Sequence, residues 1–133
     1  MVPERNEIEE TIASAIRKAL TRDVGEITPD TSLVADLAVD SLDLVEIVYD
    51  VEEAFNIQLE PDELFPQRLL RDPNYVQDGT ITEGGIAKLR EQFAFTTLPE
   101  IEPGTPVADV AARLLTMRVF ADYVSRVIEK ERA

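Results

Sequence analysis

Ser41 is the residue of this chain best placed to do chemistry. It stands between two carboxylates in Asp40-Ser41-Leu42-Asp43-Leu44-Val45-Glu46, where a loop gives way to a helix. A serine becomes a nucleophile when a base such as histidine stands beside it, and the chain has no histidine. Asp40 and Asp43 are not candidates for that base. Two uses of the hydroxyl are left. Ser41 caps the helix, a contribution of about 1 kcal/mol, or it carries a phosphate-linked group as the substrate of another enzyme, and the expectation is that it does both at once. A helix N-terminus suits the second use, because free backbone N–H groups and the helix dipole favour a phosphate. Leu42 beside it can pack inward and hold the loop on the body of the protein.

The chain also contains no cysteine, which excludes disulfides, thiolate metal sites and cysteine nucleophiles. Without histidine the commonest general base and zinc ligand are missing too. Carboxylates, Lys and Tyr leave an enzyme open, but its usual tools are missing, and the expectation is a protein that is not an enzyme and holds no metal. Asp78-Gly79 with Asn74 faintly suggests a calcium loop. With Gly79 at the sixth position, however, Val76 falls on a ligand position and Gly85 where a bidentate Glu belongs, so the pattern fails.

Charge is concentrated. From Asp23 to Gln67 there are 13 acidic residues and no Lys or Arg, although the whole chain is only −14. Such a segment repels nucleic acid and anionic membrane and steers a basic patch on a partner protein. By itself it is equally a solvated face that aids solubility. No apolar stretch approaches the roughly 20 residues of a membrane span, and the first ten residues do not read as a signal peptide. A cytoplasmic protein is expected, monomeric and without stable membrane insertion.

The 133 residues, 44% of them hydrophobic, fit a single domain over 1–133 with a largely aliphatic core. Ile8, Ile12, Ala15, Ile16, Ala19 and Leu20 give a helix over 7–20 an apolar face. Gly25 and Pro29 open a loop whose anchors are Leu33, Val34, Leu37 and Val39. A second helix runs from Ser41 to Phe55 and stops at Asn56. Its apolar side is Leu44, Val45, Ile47, Val48, Val51, Ala54 and Phe55, with Leu42 added. Pro61-Asp62-Glu63 starts a short third helix that Pro66 makes irregular. Residues 71–80 read as a loop. Thr82 caps a helix to about Phe93, weakened in its first turn by Gly84 and Gly85, and 96–106 is a second loop. The last helical region covers Val107 to about Lys130, with a fresh start at Thr116. No strand alternation of useful length is present. The fold class is all-α, a small helix bundle.

The Ser41 motif resembles the attachment motif of acyl carrier proteins, and its surroundings extend the match. Ile27-Thr28-Pro29-Asp30-Thr31-Ser32-Leu33 resembles the loop after that family's first helix, and Asp36-Leu37 the approach to its serine. Val51-Glu52-Glu53-Ala54-Phe55-Asn56-Ile57 resembles the end of the second helix, and Pro61-Asp62-Glu63 the start of the third. Thr116-Met117-Arg118-Val119-Phe120 with Tyr123-Val124 is similar to the opening of the last. The likeness covers roughly 5–70 and 116–130. It implies a four-helix bundle with 4′-phosphopantetheine on Ser41, holding acyl groups as thioesters for fatty acid or specialised lipid synthesis. It implies docking of a phosphopantetheinyl transferase and of acyl-transferring enzymes with basic patches, through Asp36, Asp40, Leu42, Asp43, Glu46, Asp50 and Glu53. Val45, Val48, Phe55, Leu64, Leu89 and Phe120 are the candidate walls of an acyl pocket. Asp40, where peptidyl carriers often have histidine, favours fatty-acyl cargo over an aminoacyl or polyketide intermediate.

Two departures stand out. Ala38 replaces the glycine usual two residues before Asp40. An insert of 45 residues, from Arg71 to Leu115, with one or two short helices separates the third helix from the last. In that respect the chain resembles specialised bacterial carriers, closest to the rhizobial type that serves very-long-chain acyl groups for lipid A. The insert's Ile81, Ile86, Leu89, Phe93, Phe95, Leu98, Leu114 and Leu115 either enlarge or cover an acyl site, or only pack an extra helix onto the bundle. The competing reading from another class is an acidic docking domain never modified at Ser41.

Overall fold

A computed structural model describes residues 3–132. It is helical: α1 (Arg5–Leu20), α2 (Ser41–Phe55), α3 (Pro61–Leu64), α4 (Gln67–Arg71), α5 (Glu83–Gln92), α6 (Val107–Leu114) and α7 (Met117–Glu131). The all-α, carrier-like bundle with additional helices read from the sequence is the architecture observed. The three long helices form its body, with α1 packed on both α2 and α7. Ile8, Ile12 and Ile16 of α1 meet Ile47 and Val51 of α2 and Phe120 and Val124 of α7 in one continuous core. Aliphatic burial at about 25 cal/mol per Å² drives this packing.

Local chemistry sets the boundaries. Asn56 ends α2 in the left-handed conformation (φ 54°), which its short polar side chain tolerates. Pro66 holds the preceding Phe65 extended (φ −127°, ψ 97°), splitting the irregular third helix into α3 and α4. Thr82 accepts from Gly85 N at 3.1 Å and Thr116 from Val119 N at 3.3 Å, each capping its helix as read from the sequence.

The stretch 71–80 is more ordered than a loop. Val76–Gln77 (β1) and Thr80–Ile81 (β2) form a two-stranded antiparallel hairpin, with Val76 opposite Ile81. Asp78 and Gly79, both at positive φ (53° and 76°), are its turn. An Asp-Gly pair is a strong signal for such a hairpin, and it explains the residues that faintly suggested calcium. Two residues per strand are too few for alternation to show. Gly85 has a packing role as well: a Cβ there would lie 2.5 Å from the Tyr75 carbonyl oxygen. Only glycine lets α5 sit this close to the hairpin.

The insert is fastened to the bundle at several places, among them Gln92, whose Nε2 donates to Asp62 O at 3.2 Å. Phe95 stacks between Phe93 and Tyr123, with ring centroids 5.6 Å apart in each pair, and Thr96 donates to Asp122 at 2.6 Å. At its far end, the α6–α7 junction binds the loop that leads to Ser41. Ser32 Oγ donates to Ala112 O at 2.7 Å, Leu33 N to Leu115 O at 2.9 Å, and Met117 N to Thr31 O at 3.0 Å.

Candidate functional site

The loop before Ser41 is held from below by Leu33 and Leu37, both buried. Arg22 donates to the Leu37 carbonyl, and Val39 N to Leu33 O at 2.9 Å. Ala38 takes up the left-handed conformation there, with φ 52°. That is the backbone a glycine adopts without strain, so the departure at this position keeps the loop conformation at some cost.

Ser41 is the first residue of α2 and does not cap it. The cap is Asp40, whose carboxylate accepts from Asp43 N at 2.8 Å, while Asp43 Oδ2 accepts from Asp40 N at 3.2 Å. The reciprocal pair satisfies the orphan donors that a serine cap would have taken. Ser41 is exposed, and its hydroxyl makes no hydrogen bond among the described residues. It is therefore free to react, at the positive end of a 15-residue helix.

A cavity opens on either side of it. One, of about 240 Å³, is mainly apolar and lined by Val34, Val39, Leu44, Phe65 and Leu115 with Ser41 at its edge. The other, of about 490 Å³, is a more polar cleft in which Ser41 and Val45 face Arg68 and Arg71 of α4. An exposed, unbonded hydroxyl between an apolar cavity and a polar one fits a phosphate-linked arm with an apolar cargo.

The residues read as pocket walls fall in three places. Val45 is 56% exposed and does line the polar cleft. Val48, Phe55, Leu64 and Phe120 are buried in the core and line neither cavity beside Ser41. Leu89 lines a separate cleft of about 280 Å³ within the insert, with Ile86, Phe93, Leu98 and Ile101. Of the insert's apolar residues, Leu115 alone joins a cavity at Ser41. The other apolar side chains named for the insert pack within it or onto the bundle.

The docking residues sort by what already holds them. Leu42 does not pack inward: it is 77% exposed and continues with Val45 and Tyr49 as an apolar stripe along the outer face of α2. Tyr49, absent from the sequence reading, was signalled by this three- and four-residue spacing. Asp36 accepts from Ser32 N at 2.7 Å, and Asp40 and Asp43 are tied to each other. Asp50 is half-buried and pairs with Lys18 at 3.6 Å, so it is partly spent within the chain. Glu53 bonds the Tyr49 hydroxyl and raises its pKa above the usual value. Glu46 is exposed and makes no hydrogen bond or ion pair among the described residues, which leaves its charge wholly available.

Phe65, Gln67, Arg68 and Arg71 are site residues that the sequence reading missed. A signal existed: Arg68 and Arg71 are the first cations after the acidic window, three residues apart. No group of acidic side chains among the described residues is arranged to hold a metal ion, and no described helix is long and apolar enough to cross a membrane.

Comparison with known proteins places this geometry. The family model described as a phosphopantetheine attachment site matches residues 10–71. An acyl carrier protein of Helicobacter pylori is 44% identical over 54 residues, covering 41% of this chain and 68% of that protein. One from Rubrobacter xylanophilus is 43% identical over 60 residues, covering 45% of this chain and 73% of its own. No solved structure matches.

Proposed function

The chain belongs to the acyl carrier protein family, and from that premise we propose that Ser41 is its attachment point for 4′-phosphopantetheine. As a family member it is a carrier and not an enzyme, holding acyl groups on the prosthetic arm. It works with a phosphopantetheinyl transferase and, in general, with the enzymes of fatty acid synthesis. The arm supplies the thiol that this cysteine-free chain lacks.

The observation that carries the assignment is the state of the hydroxyl. Because Asp40 performs the capping, Ser41 is exposed and uncommitted at the start of α2. The apolar cavity of Val34, Val39, Leu44, Phe65 and Leu115 receives the beginning of the cargo and keeps water from it. Glu46, Asp36, Asp40, Asp43 and Glu53, around the stripe of Leu42, Val45 and Tyr49, meet basic residues on partner enzymes. Such contacts give fast, salt-sensitive and transient docking. A monomeric, cytoplasmic chain belongs to the same reading. For a specialised, very-long-chain role in lipid A synthesis the support is the insert itself. Its side chains mostly pack away from Ser41, so fatty-acyl cargo is the level of detail the cavities favour.

Intact mass after co-expression with a phosphopantetheinyl transferase tests the assignment. A gain equal to the arm, absent in Ser41→Ala, supports it. No gain under permissive conditions leaves an unmodified acidic docking domain.

A further inference from the structure

The cleft of about 490 Å³ brings Arg68 and Arg71 to the same hollow as Ser41. Neither guanidinium forms an ion pair among the described residues. They are thus two uncommitted cations beside the serine, in a chain where acids outnumber bases 27 to 13. The two are three residues apart on α4, so they share a face. The break at Pro66 turns that face toward the start of α2. Asp62 lines the same cleft, but its carboxylate is turned to the α4 backbone, accepting from Arg68 N at 3.4 Å. Glu60 is the other acid there.

Resting on the assignment of Ser41 as the attachment site, we propose that Arg68 and Arg71 hold the phosphodiester through which the arm is joined. A phosphodiester keeps its negative charge at every physiological pH. Bonded to Ser41, it sits among Asp40, Asp43, Glu46, Glu60 and Asp62. The helix dipole offsets only about half a charge. Guanidinium groups supply the remainder and bind phosphate oxygens in a bidentate fork that lysine cannot form. Glutamine at 67 adds a neutral donor to the same wall. The two arginines are positioning residues: they fix the direction in which the arm leaves the serine and leave the α2 face open to partners.

The test compares the apo and loaded full-length chain by NMR at low salt. It reads the arginine Nε–H signals and the ³¹P signal of the phosphodiester, with mass spectrometry confirming loading. The inference expects the Arg68 and Arg71 signals to move on loading more than that of Arg113 in the insert, and the change to shrink as salt is raised. In Arg68→Gln/Arg71→Gln the ³¹P line narrows and shifts toward that of a short phosphopantetheinylated peptide. Both side chains are exposed, so the fold is not at stake. A loaded chain whose arginine signals match the apo form, with a ³¹P signal unmoved by the double substitution, overturns this inference alone. A chain that takes no arm on Ser41 overturns the attachment assignment and this inference with it.

Discussion

Along α2 the chain leaves Leu42, Val45 and Tyr49 in water beside the uncommitted Glu46. Across the insert it does the reverse. Ile81, Ile86, Leu89, Phe93, Ile101, Leu114 and Leu115 are all buried. The charges divide the same way, since 13 acids lie in the window from Asp23 to Gln67 and the rest of the chain is nearly balanced. A surface that leaves apolar side chains exposed and acids unpaired forgoes stability within the chain, and that material is then available to a partner. The insert uses its apolar side chains on its own packing. On the proposed function, the first region serves encounters with partners and the second holds shape around α7 and the loop before Ser41.

Substitutions that separate these two roles test the contrast. The largest expected effect is from Gly85→Ala, which forces a methyl group against the Tyr75 carbonyl and Ile81. It should cost about 1–3 kcal/mol in chemical denaturation while the folded protein still takes the arm at an unchanged rate. If loading fell in proportion to stability, the insert would belong to the working surface. Glu46→Lys should do the opposite. Denaturation midpoints stay within about 0.5 kcal/mol, while the transferase rate drops several-fold at low salt and the difference shrinks as salt is added. An unchanged rate would remove Glu46 from the docking surface.

Tyr123 joins α7 to the start of α3, where its hydroxyl accepts from Glu60 N at 2.9 Å. Burial, reinforced by the charges of Glu63, Glu60 and Glu52, pushes the phenol up to about 12. The folded state thus keeps a proton that the unfolded chain releases near its ordinary value of about 10. This contribution is fully present below about pH 10 and is lost as pH rises from there through about 12. Tyr123→Phe should cost about 1 kcal/mol at neutral pH and flatten the alkaline fall in stability. An alkaline profile identical to that of the parent would assign the fall to other groups. The smallest effect runs the other way. Ala38→Gly relieves the left-handed backbone before Ser41 and should stabilise the chain by about 0.5 kcal/mol, the strain relieved less the entropy glycine adds to the unfolded state. A loss of stability would show that Ala38 is not strained.

The same contrast explains what could be read from residues alone. The helix starting at Ser41 was legible because Asp40, Asp43 and the apolar spacing of α2 agree. Thr82 and Thr116 announced their helices as caps do. The capping role of Asp40 was missed because Asp and Ser are both good caps, and only hydrogen-bond geometry chooses between adjacent ones. Val48, Phe55, Leu64 and Phe120 stand in the core and in neither cavity beside Ser41, a distinction residues alone do not make, because an apolar helix face looks the same whether it fills a core or lines a cavity. The cavity walls at Phe65, Gln67, Arg68 and Arg71 depend on how Pro66 breaks α3 from α4, a direction in space that no periodicity encodes. The hairpin at Asp78-Gly79 had its signal in the turn, and strands of two residues added nothing to it.

The most direct test of the central claim uses the charge pattern itself. Because no Lys or Arg lies between Asp23 and Gln67, trypsin releases the attachment region as one peptide, Asp23 to Arg68, which carries two serines, Ser32 and Ser41. Fragmentation of that peptide from the loaded protein should place the whole phosphopantetheine mass on Ser41. Ser32 is 7% exposed and donates to Ala112 O, so it should remain bare. An arm found on Ser32, or a peptide unmodified in a chain exposed to an active transferase, would contradict the account.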